Sequence, residues 1–146
     1  MKTSCRFAMA VHVLTVLAYK EGDRVPSSQL AGSVNTNPVI IRRLLLDLQA
    51  ARLVETTKGA GAGSRLSRAP SRIHLAEVYE AVEAKIPFAK PTRKPNEHCP
   101  VGQCMREVLE KIFTSAEAAL KRDLQKTTLA SLMTDVQAIC GCHGKS

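Results

Sequence analysis

Aromatic residues are scarce in this chain of 146 residues, which contains no tryptophan and only 3% aromatic residues in total. A core without large aromatic side chains must be built from Leu, Ile, Val and Ala, which suits helices packed on helices better than a β-sandwich. Hydrophobic residues still make up 45% of the sequence, which excludes global disorder. The composition therefore predicts one mainly helical domain, or a small domain with a helical extension.

Long apolar runs are also missing. The most apolar stretch, residues 4–20, contains His12 and is too short to cross a bilayer. The start of the chain lacks the small-residue cleavage pattern of a secretory signal. We therefore expect a cytoplasmic protein with no membrane partner, whose five cysteines are reduced thiols, metal ligands or redox switches.

Catalytic motifs are absent from the sequence. The four histidines are scattered over positions 12, 74, 98 and 143, and neither paired carboxylates nor a nucleophile–base pair occurs at helical spacing. Gly59, Gly61 and Gly63 alternate, but they lack the GxGxxG order and the lysine of a phosphate-binding loop, and strand-like segments flank them. We therefore do not expect an enzyme.

Acidic residues are few in the first half of the chain. Residues 1–72 contain 11 Lys and Arg but only 4 Asp and Glu, whereas residues 73–146 contain 10 and 9. The formal net charge of +8 is therefore concentrated in the first half. Such a distribution favours a partner with regularly spaced negative charge, such as the phosphate backbone of DNA.

Residues 25–68 contain the pattern on which the functional interpretation depends. Pro26 suits the first turn of a short helix, and after a turn the pair Asn37-Pro38 is typical of the cap and first residue of a second helix. Residues 53–57 and 64–68 predict two short strands joined by the glycine-rich tip. This is the order of a winged helix-turn-helix, which places its second helix in the major groove of double-stranded DNA.

The second helix of this motif has two distinct faces. Its predicted inward face consists of Ile40, Ile41, Leu44, Leu45 and Leu48, and its opposite face of Val39, Arg42, Arg43, Asp47 and Gln49. Arg42 and Arg43 are candidates for DNA contact, because an arginine near the start of a recognition helix can bond guanine O6 and N7 or a phosphate.

Other polar side chains of the motif have more than one possible use. Ser27 and Ser28 can cap the first helix or donate to a phosphate, and capping is the more common role. Lys58, Arg65 and Arg68 lie on the predicted wing, where they are placed for phosphates or the minor groove.

A proline-rich segment divides the second half of the chain. Residues 73–84 predict a short helix, after which four prolines between positions 87 and 100 exclude a helix interior. From residue 105 apolar residues recur at helical spacing, and a last helix is predicted over residues 129–139. The long helix offers a dimer interface, with packing inside its own subunit as the alternative. The candidate interface residues are Met105, Val108, Leu109, Ile112, Phe113, Ala116 and Leu120.

The fold class predicted from these patterns is mainly α with a small β-wing: a winged helix-turn-helix domain plus a long dimerisation helix. Residues 1–84 form the predicted DNA-binding domain and residues 85–104 a loop with prolines and cysteines that could act as a sensor. Residues 105–139 form the dimerisation helices, and residues 140–146 a Cys/His tail.

Four segments together resemble the IscR/NsrR/CymR family of bacterial winged-helix transcription regulators, the Rrf2 type. They are the opening helix CRFAMAVHVLTVLA, the segment NPVIIRRLLLDLQAARLVET, the wing KGAGAGSRLSRAPSRIHLAEVYEAVE and the motif NEHCPVGQC. The resemblance covers roughly residues 1–137, and it implies a symmetric homodimer that crosses through the long helix and binds a palindromic operator. It also implies base contacts from Asn37, Val39 and Arg42, and a basic contact from Lys58 at the base of the wing.

The chain departs from the family pattern at positions that choose the operator. It has Gly61-Ala62-Gly63-Ser64 where members often have Gly-Gly-Gly-Tyr, and Arg42 where some members have a glutamate that reads cytosine. The resemblance therefore implies a regulator, most naturally a repressor, with an operator of its own. The alternative from another class is a winged-helix module that binds protein and not DNA, which would show no salt-dependent binding to duplex DNA.

Three interpretations of the cysteines stay open. The iron–sulfur branch of the family has three cysteines before the dimer helix, whereas this chain has Cys99 and Cys104, with Glu110 in place of a third. In a thiol switch these two would form a disulfide or one would form a sulfenic acid, favoured by a helix N-terminus near Cys104. In an iron–sulfur or zinc site, further ligands would come from His98, Cys140, Cys142 or His143. The third interpretation is that the thiols have no sensing role, and no cofactor is assigned.

Overall fold

The computed structural model describes residues 5–83, 88 and 93–141. Its elements in chain order are helices α1 (Arg6–Tyr19), α2 (Ser27–Val34) and α3 (Pro38–Ala50), strands β1 (Val54–Thr57) and β2 (Gly63–Leu66), a 3-10 turn (Pro70–Arg72), and helices α4 (Leu75–Val82), α5 (Pro100–Leu124) and α6 (Leu129–Cys140). The predicted fold class, mainly α with a small β-wing and a long helix, is confirmed.

Helix α1 lies at the centre of the packing, because α2, α3, α4, α6 and β2 all contact it. Its inward face repeats at the spacing of one side of a helix and is buried. The residues of that face are Ala10, Val13, Leu14, Leu17 and Ala18. A second side of α1, which includes Ala8, His12 and Tyr19, is exposed within one chain.

The turn between α2 and α3 is built from local polar groups. Asn35 ends α2 in the left-handed conformation, with φ of 62°, and the Thr36 N–H donates to the Ala31 carbonyl at 3.0 Å. The Asn37 side chain accepts from the Val39 N–H at 2.9 Å, and Pro38 occupies the first helical position of α3. These bonds define where the recognition helix begins, as the sequence predicted.

Helix α3 buries a narrower face than the sequence predicted. Ile41, Leu44, Leu45 and Leu48 are buried at i, i+3, i+4 and i+7. Ile40 was placed on this face but is 42% exposed, so that prediction is wrong. Successive residues of a helix are about 100° apart, which turns Ile40 away from the core and towards the side of Val39.

The wing is a two-stranded antiparallel sheet, in which β2 packs on α1 and β1 packs on α3. Val54 pairs with Leu66 at one end and Thr57 with Gly63 at the other. Val25, just before α2, exchanges two backbone hydrogen bonds of 2.9 Å with the buried Ser64, so it acts as a short third strand. At Gly63 a Cβ atom would lie 2.8–2.9 Å from backbone atoms of Val25, so this close approach requires glycine.

The C-terminal helices are tied to the domain by backbone bonds. The Leu75 N–H donates to the Thr127 carbonyl at 3.0 Å, and the Leu129 N–H donates to the Ile73 carbonyl at 2.8 Å. Leu129 is buried, and α6 packs on α1 and on the 3-10 turn. None of the described helices combines the length and apolar character needed to cross a membrane.

Two predicted helix boundaries are wrong in the second half of the chain. The helix expected over residues 73–84 begins at Leu75 and is last helical at Val82. The long helix expected from residue 105 begins at Pro100, because proline fits the first helical position without losing a hydrogen bond. Residue 84, at the end of the predicted helix, and residues 85–87 and 89–92 of the predicted loop, with Pro87 and Pro91, lie outside the described residues.

Candidate nucleic-acid interface

The exposed side of α3 carries two arginines and two β-branched residues. We call this set the reading face: Val39, Ile40, Arg42 and Arg43, all of them exposed. The buried side of the same helix packs on α1, α2 and α4. The reading face therefore stands on a packed support, and both of its arginines are exposed.

Arg42 is held by a residue of the neighbouring helix. Its Nε–H donates to the Ser27 hydroxyl oxygen at 3.3 Å. Ser27 is the first residue of α2, Pro26 occupies the N-cap, and no side-chain bond caps this helix. The prediction that Ser27 or Ser28 caps α2 is therefore wrong, because the serines lie one and two positions inside the helix. Ser28 is exposed.

Asn37 and Asp47 were both placed on the side of α3 that faces DNA, and both have structural partners. The Asn37 side-chain oxygen is engaged as the N-cap of α3. Asp47 forms an ion pair with Arg6, which links the last half of α3 to the start of α1. The base contact predicted for Asn37 stays a prediction.

The three basic wing residues have different surroundings. Lys58 is exposed at the end of β1. The Arg65 Nε–H donates to Glu55 across the two strands at 3.0 Å, in an exposed pair. Arg68 donates to both carboxylate oxygens of Glu77 at 3.3 Å and to the Arg72 carbonyl at 3.2 Å. Arg68 thus ties the wing to α4, and the DNA contact predicted for it stays a prediction.

The segment before α5 forms a compact turn around Asn96. The Asn96 side chain accepts from the His98 N–H at 3.0 Å, and the Asn96 carbonyl accepts from the Cys99 N–H at 3.2 Å. A Cβ atom at position 102 would collide with the Asn96 carbonyl oxygen, which explains the glycine in the CPVG motif. Cys99 is the N-cap of α5, so Cys99, and not Cys104, lies at the helix N-terminus.

The geometry of the two thiols limits what they can form within one chain. Cys99 is half-buried, and Cys104 is exposed one turn further along. Five residues along a helix separate Cα atoms by roughly 8–9 Å, and Cα atoms more than about 7 Å apart are not bridged without backbone movement. A disulfide between Cys99 and Cys104 therefore requires the first turn of α5 to unwind.

The described residues of one chain do not bring together the ligands for an iron–sulfur cluster or zinc. In the part of the chain that the structure describes, no group of three or more His, Cys, Asp or Glu side chains is placed to hold a metal. Cys140 ends α6 and is exposed, while Cys142 and His143 lie outside the described residues. The described residues of one subunit thus do not fit a complete metal site.

Helix α5 exposes an apolar face of its own. Val101, Met105, Val108 and Ile112 are exposed at spacings of four, three and four residues, with Val101 at 62% and Ile112 at 55%. Of the other predicted interface residues, Leu120 is exposed and Leu109, Phe113 and Ala116 are half-buried. Phe113 stacks on Phe88, with ring centroids 4.8 Å apart.

Two further exposed apolar residues lie outside the set that the sequence predicted for the interface. Val101 lies one turn before Met105, and a longer window on the same periodicity would have included it. Ile139, at the end of α6, is 85% exposed. A cleft of about 650 Å³ between α1, α2 and α6 adds a further apolar surface, lined in part by Val11, Val16 and Met133.

Comparison with known proteins places this geometry in a family context. The family model described as "Rrf2: Iron-dependent Transcriptional regulator" matches residues 3–135. YwnA of Bacillus subtilis, named as an HTH-type transcriptional regulator, is 34% identical over 128 residues, which are 88% of this chain and 94% of YwnA. The HTH-type transcriptional regulator NsrR of Halalkalibacterium halodurans is 26% identical over 127 residues, 86% of each chain.

The fold is also shared with a solved structure. The structure of CymR, the global cysteine regulator of B. subtilis, superposes with a TM-score of 0.65 at 23% identity, over 92% of this chain and 97% of CymR. The matched family and relatives are regulators of transcription and not enzymes, in agreement with the sequence-based expectation.

Proposed function

The chain belongs to the Rrf2 family of transcriptional regulators, and we propose that it is a cytoplasmic homodimer that represses transcription from a palindromic operator. The observation that carries the proposal is the reading face of α3, with two exposed arginines next to the wing. A basic residue that contacts a phosphate supplies affinity, while an arginine that bonds a base edge supplies specificity.

The contact that each side chain would make with DNA follows from its position in the fold. Arg42 and Arg43 reach towards the bases from α3, and Val39 offers an apolar contact to a thymine methyl group. Lys58 and Arg65 lie on the wing, where they contact phosphates or enter the minor groove. Ser28 is exposed on the first turn of α2, and its hydroxyl would donate to a phosphate of the DNA backbone.

The apolar face of α5 supports the dimer. An α-helix of 25 residues is about 37 Å long, and exposed apolar residues at a spacing of four, three and four are typical of a helix that packs on another helix. Contiguous apolar residues exposed on one face of a monomer are typical of an interface. A second copy related by a two-fold axis would cover the face and place two reading faces on one side, which accounts for a palindromic operator.

For the signal, we propose oxidation of Cys99 or Cys104. Cys99 occupies the N-cap position of α5 and is half-buried, while Cys104 is exposed on the second turn of the same helix. Because a disulfide between the two requires unwinding, the product compatible with the folded turn is a sulfenic acid, or a disulfide to a thiol of another chain. Either product would disturb the start of the helix that forms the proposed dimer interface.

The proposed function is tested with full-length protein purified without oxygen. Duplex DNA with a random core is selected for binding, and the dissociation constant for the enriched sequence is measured from about 50 to 200 mM salt. We expect an enriched inverted repeat and a steep loss of affinity with salt. If no sequence is enriched and weak DNA binding does not depend on salt, the alternative is favoured, a winged-helix module that binds protein and not DNA.

A variant pair sharpens this test. Lys58→Ala should weaken binding to all sequences by a similar factor and lower the salt slope by about one. Lys126→Ala removes an exposed lysine in the turn after α5, far along the chain from the reading face, and is the matched control. If both variants change the slope equally, the wing does not contact the backbone in the proposed way.

A further inference from the structure

Ser27 contacts the arginine at the centre of the reading face. Its hydroxyl oxygen accepts the Nε–H of Arg42 at 3.3 Å, a bond that joins the first residue of α2 to α3. We propose that Ser27 is a positioning residue, which orients Arg42 for recognition of a guanine and is neither a helix cap nor a phosphate ligand. This inference rests on the proposed function, since it requires that α3 reads DNA.

The Ser27 hydroxyl does not cap α2. The N–H groups of Gln29 and Leu30, in the first turn of α2, donate to the Pro26 carbonyl at 3.1 and 3.2 Å. Pro26 itself is the N-cap, and no side-chain bond caps the helix. Replacing Ser27 therefore removes the bond to Arg42 without removing a cap.

The atom that Ser27 holds determines how Arg42 meets a base. A guanidinium can approach guanine side-on, through Nε and one terminal nitrogen, or end-on, through Nη1 and Nη2. With Nε engaged by Ser27, the two terminal nitrogens are left for O6 and N7 of guanine, which is the end-on arrangement. The bond thus selects one of the two approaches.

The bond also lowers the cost of ordering the side chain. A free arginine on an exposed helix face populates many rotamers, and it loses that freedom when it binds a base. A side chain restrained before binding loses less, so more of the contact energy contributes to discrimination. Ser27 therefore acts through Arg42, and its effect should be confined to the base pair that Arg42 reads.

The test uses full-length protein and the operator that the wild type selects. The base pair read by Arg42 is identified as the one whose preference is lost in Arg42→Ala. Dissociation constants are then measured for the operator and for the three sequences changed at that pair. The variants are Ser27→Ala, Ser27→Thr, which keeps a hydroxyl, and Ser27→Ala combined with Arg42→Ala. Ser33→Ala, which removes a hydroxyl from the same helix outside the reading face, is the matched control.

We expect Ser27→Ala to lower the preference for guanine at that pair about two- to tenfold, the effect of one net hydrogen bond. Preferences at other positions and the melting temperature should not change. Ser27→Thr should restore the preference, Ser33→Ala should keep it, and Ser27→Ala should add nothing to Arg42→Ala, because the two residues act as one unit.

Three results would overturn the inference. In the first, Ser27→Ala weakens binding to all four sequences equally, which identifies a phosphate ligand. In the second, Ser27→Ala causes a further loss in the Arg42→Ala background. In the third, the wild type selects an operator but has no guanine preference that depends on Arg42, which leaves the proposed function intact. Failure of the proposed function itself would appear earlier, as a wild type that selects no sequence.

Discussion

Replacing Gly63 with alanine should displace strand β2 from Val25 and lower the stability of the protein. The Cβ atom of alanine would lie 2.8 Å from the carbonyl carbon and oxygen of Val25 and 2.9 Å from its nitrogen. These neighbours are backbone atoms, so no side chain can rotate out of the way. Strand β2 must therefore move away from Val25.

The size of the effect follows from what that movement breaks. Overpacking a tight site costs about 1–3 kcal/mol. Moving β2 also weakens two backbone hydrogen bonds between Val25 and Ser64, each worth about 0.5–1.5 kcal/mol net. Because the same movement relieves the overlap and breaks the bonds, the two costs are not fully additive. We expect the free energy of unfolding to fall by about 2–4 kcal/mol.

The matched control is Gly32→Ala. Gly32 lies inside α2, and a Cβ atom there would meet nothing within 4 Å. Alanine is more favourable than glycine in a helix by about 0.5–1 kcal/mol, so this variant should be slightly more stable than the wild type. The same chemical change thus has opposite expected signs at the two positions.

Urea unfolding followed by far-ultraviolet circular dichroism measures both effects. All samples need the same protein concentration, because a dimer makes apparent stability depend on it. The midpoint should fall for Gly63→Ala and rise for Gly32→Ala, with little change in slope. The free energy of unfolding of Gly63→Ala could instead lie within about 0.5 kcal/mol of the wild-type value, or Gly32→Ala could lower it as much as Gly63→Ala does. Either result would refute the steric explanation for glycine at position 63.

Three further predictions concern the site. Arg42→Ala should cost about 1–3 kcal/mol of operator binding and relax one base position, measured by competition with single-base variants; unchanged specificity would refute the assignment. Ile112→Glu places a charge on the apolar face of α5, and it should yield monomers in analytical ultracentrifugation without loss of helix content. The control Arg122→Glu changes an exposed residue near the end of the same helix and should leave the dimer intact. Peroxide should lower DNA binding of the wild type, and added thiol should restore it, because thiols reduce sulfenic acids and disulfides. The double variant Cys99→Ser/Cys104→Ser should lose this response and a Cys5→Ser control should keep it, while the two single variants identify which thiol is oxidised. A double variant that still responds would refute the proposed sensor.

Much of the fold and part of the site followed from local patterns. The pair Asn37-Pro38 marked the start of α3 because a cap and a proline act within a few residues of each other. The strands of the wing followed from alternation and from the glycines between them. Ile40 was misplaced because a five-residue inward face is wider than the contact that α3 makes with its neighbours.

The structure also revealed features that have only a weak signal in the sequence. Gly63 and Gly102 are each required by a backbone that approaches from elsewhere in the chain, Val25 in one case and Asn96 in the other. Without the structure, Gly63 counts as one more residue of a flexible tip. The exposure of Ile139 also has little signal in the sequence, since only the packing of α6 on α1 shows that this side chain lies outside the core.

The sequence by itself determined the helical class, the order of the winged helix-turn-helix, the charge of the half that contains it and three of the four residues on the reading face. These properties depend on composition, on periodicity and on caps that act over three or four residues. Only the tertiary structure decided which polar side chains are engaged: Arg42 bonds Ser27, 15 positions away, Arg68 bonds Glu77, nine positions away, and Arg6 pairs with Asp47, 41 positions away. Partners at such separations meet because of the angles and distances at which the helices pack, and helical periodicity along one segment contains no information about those angles.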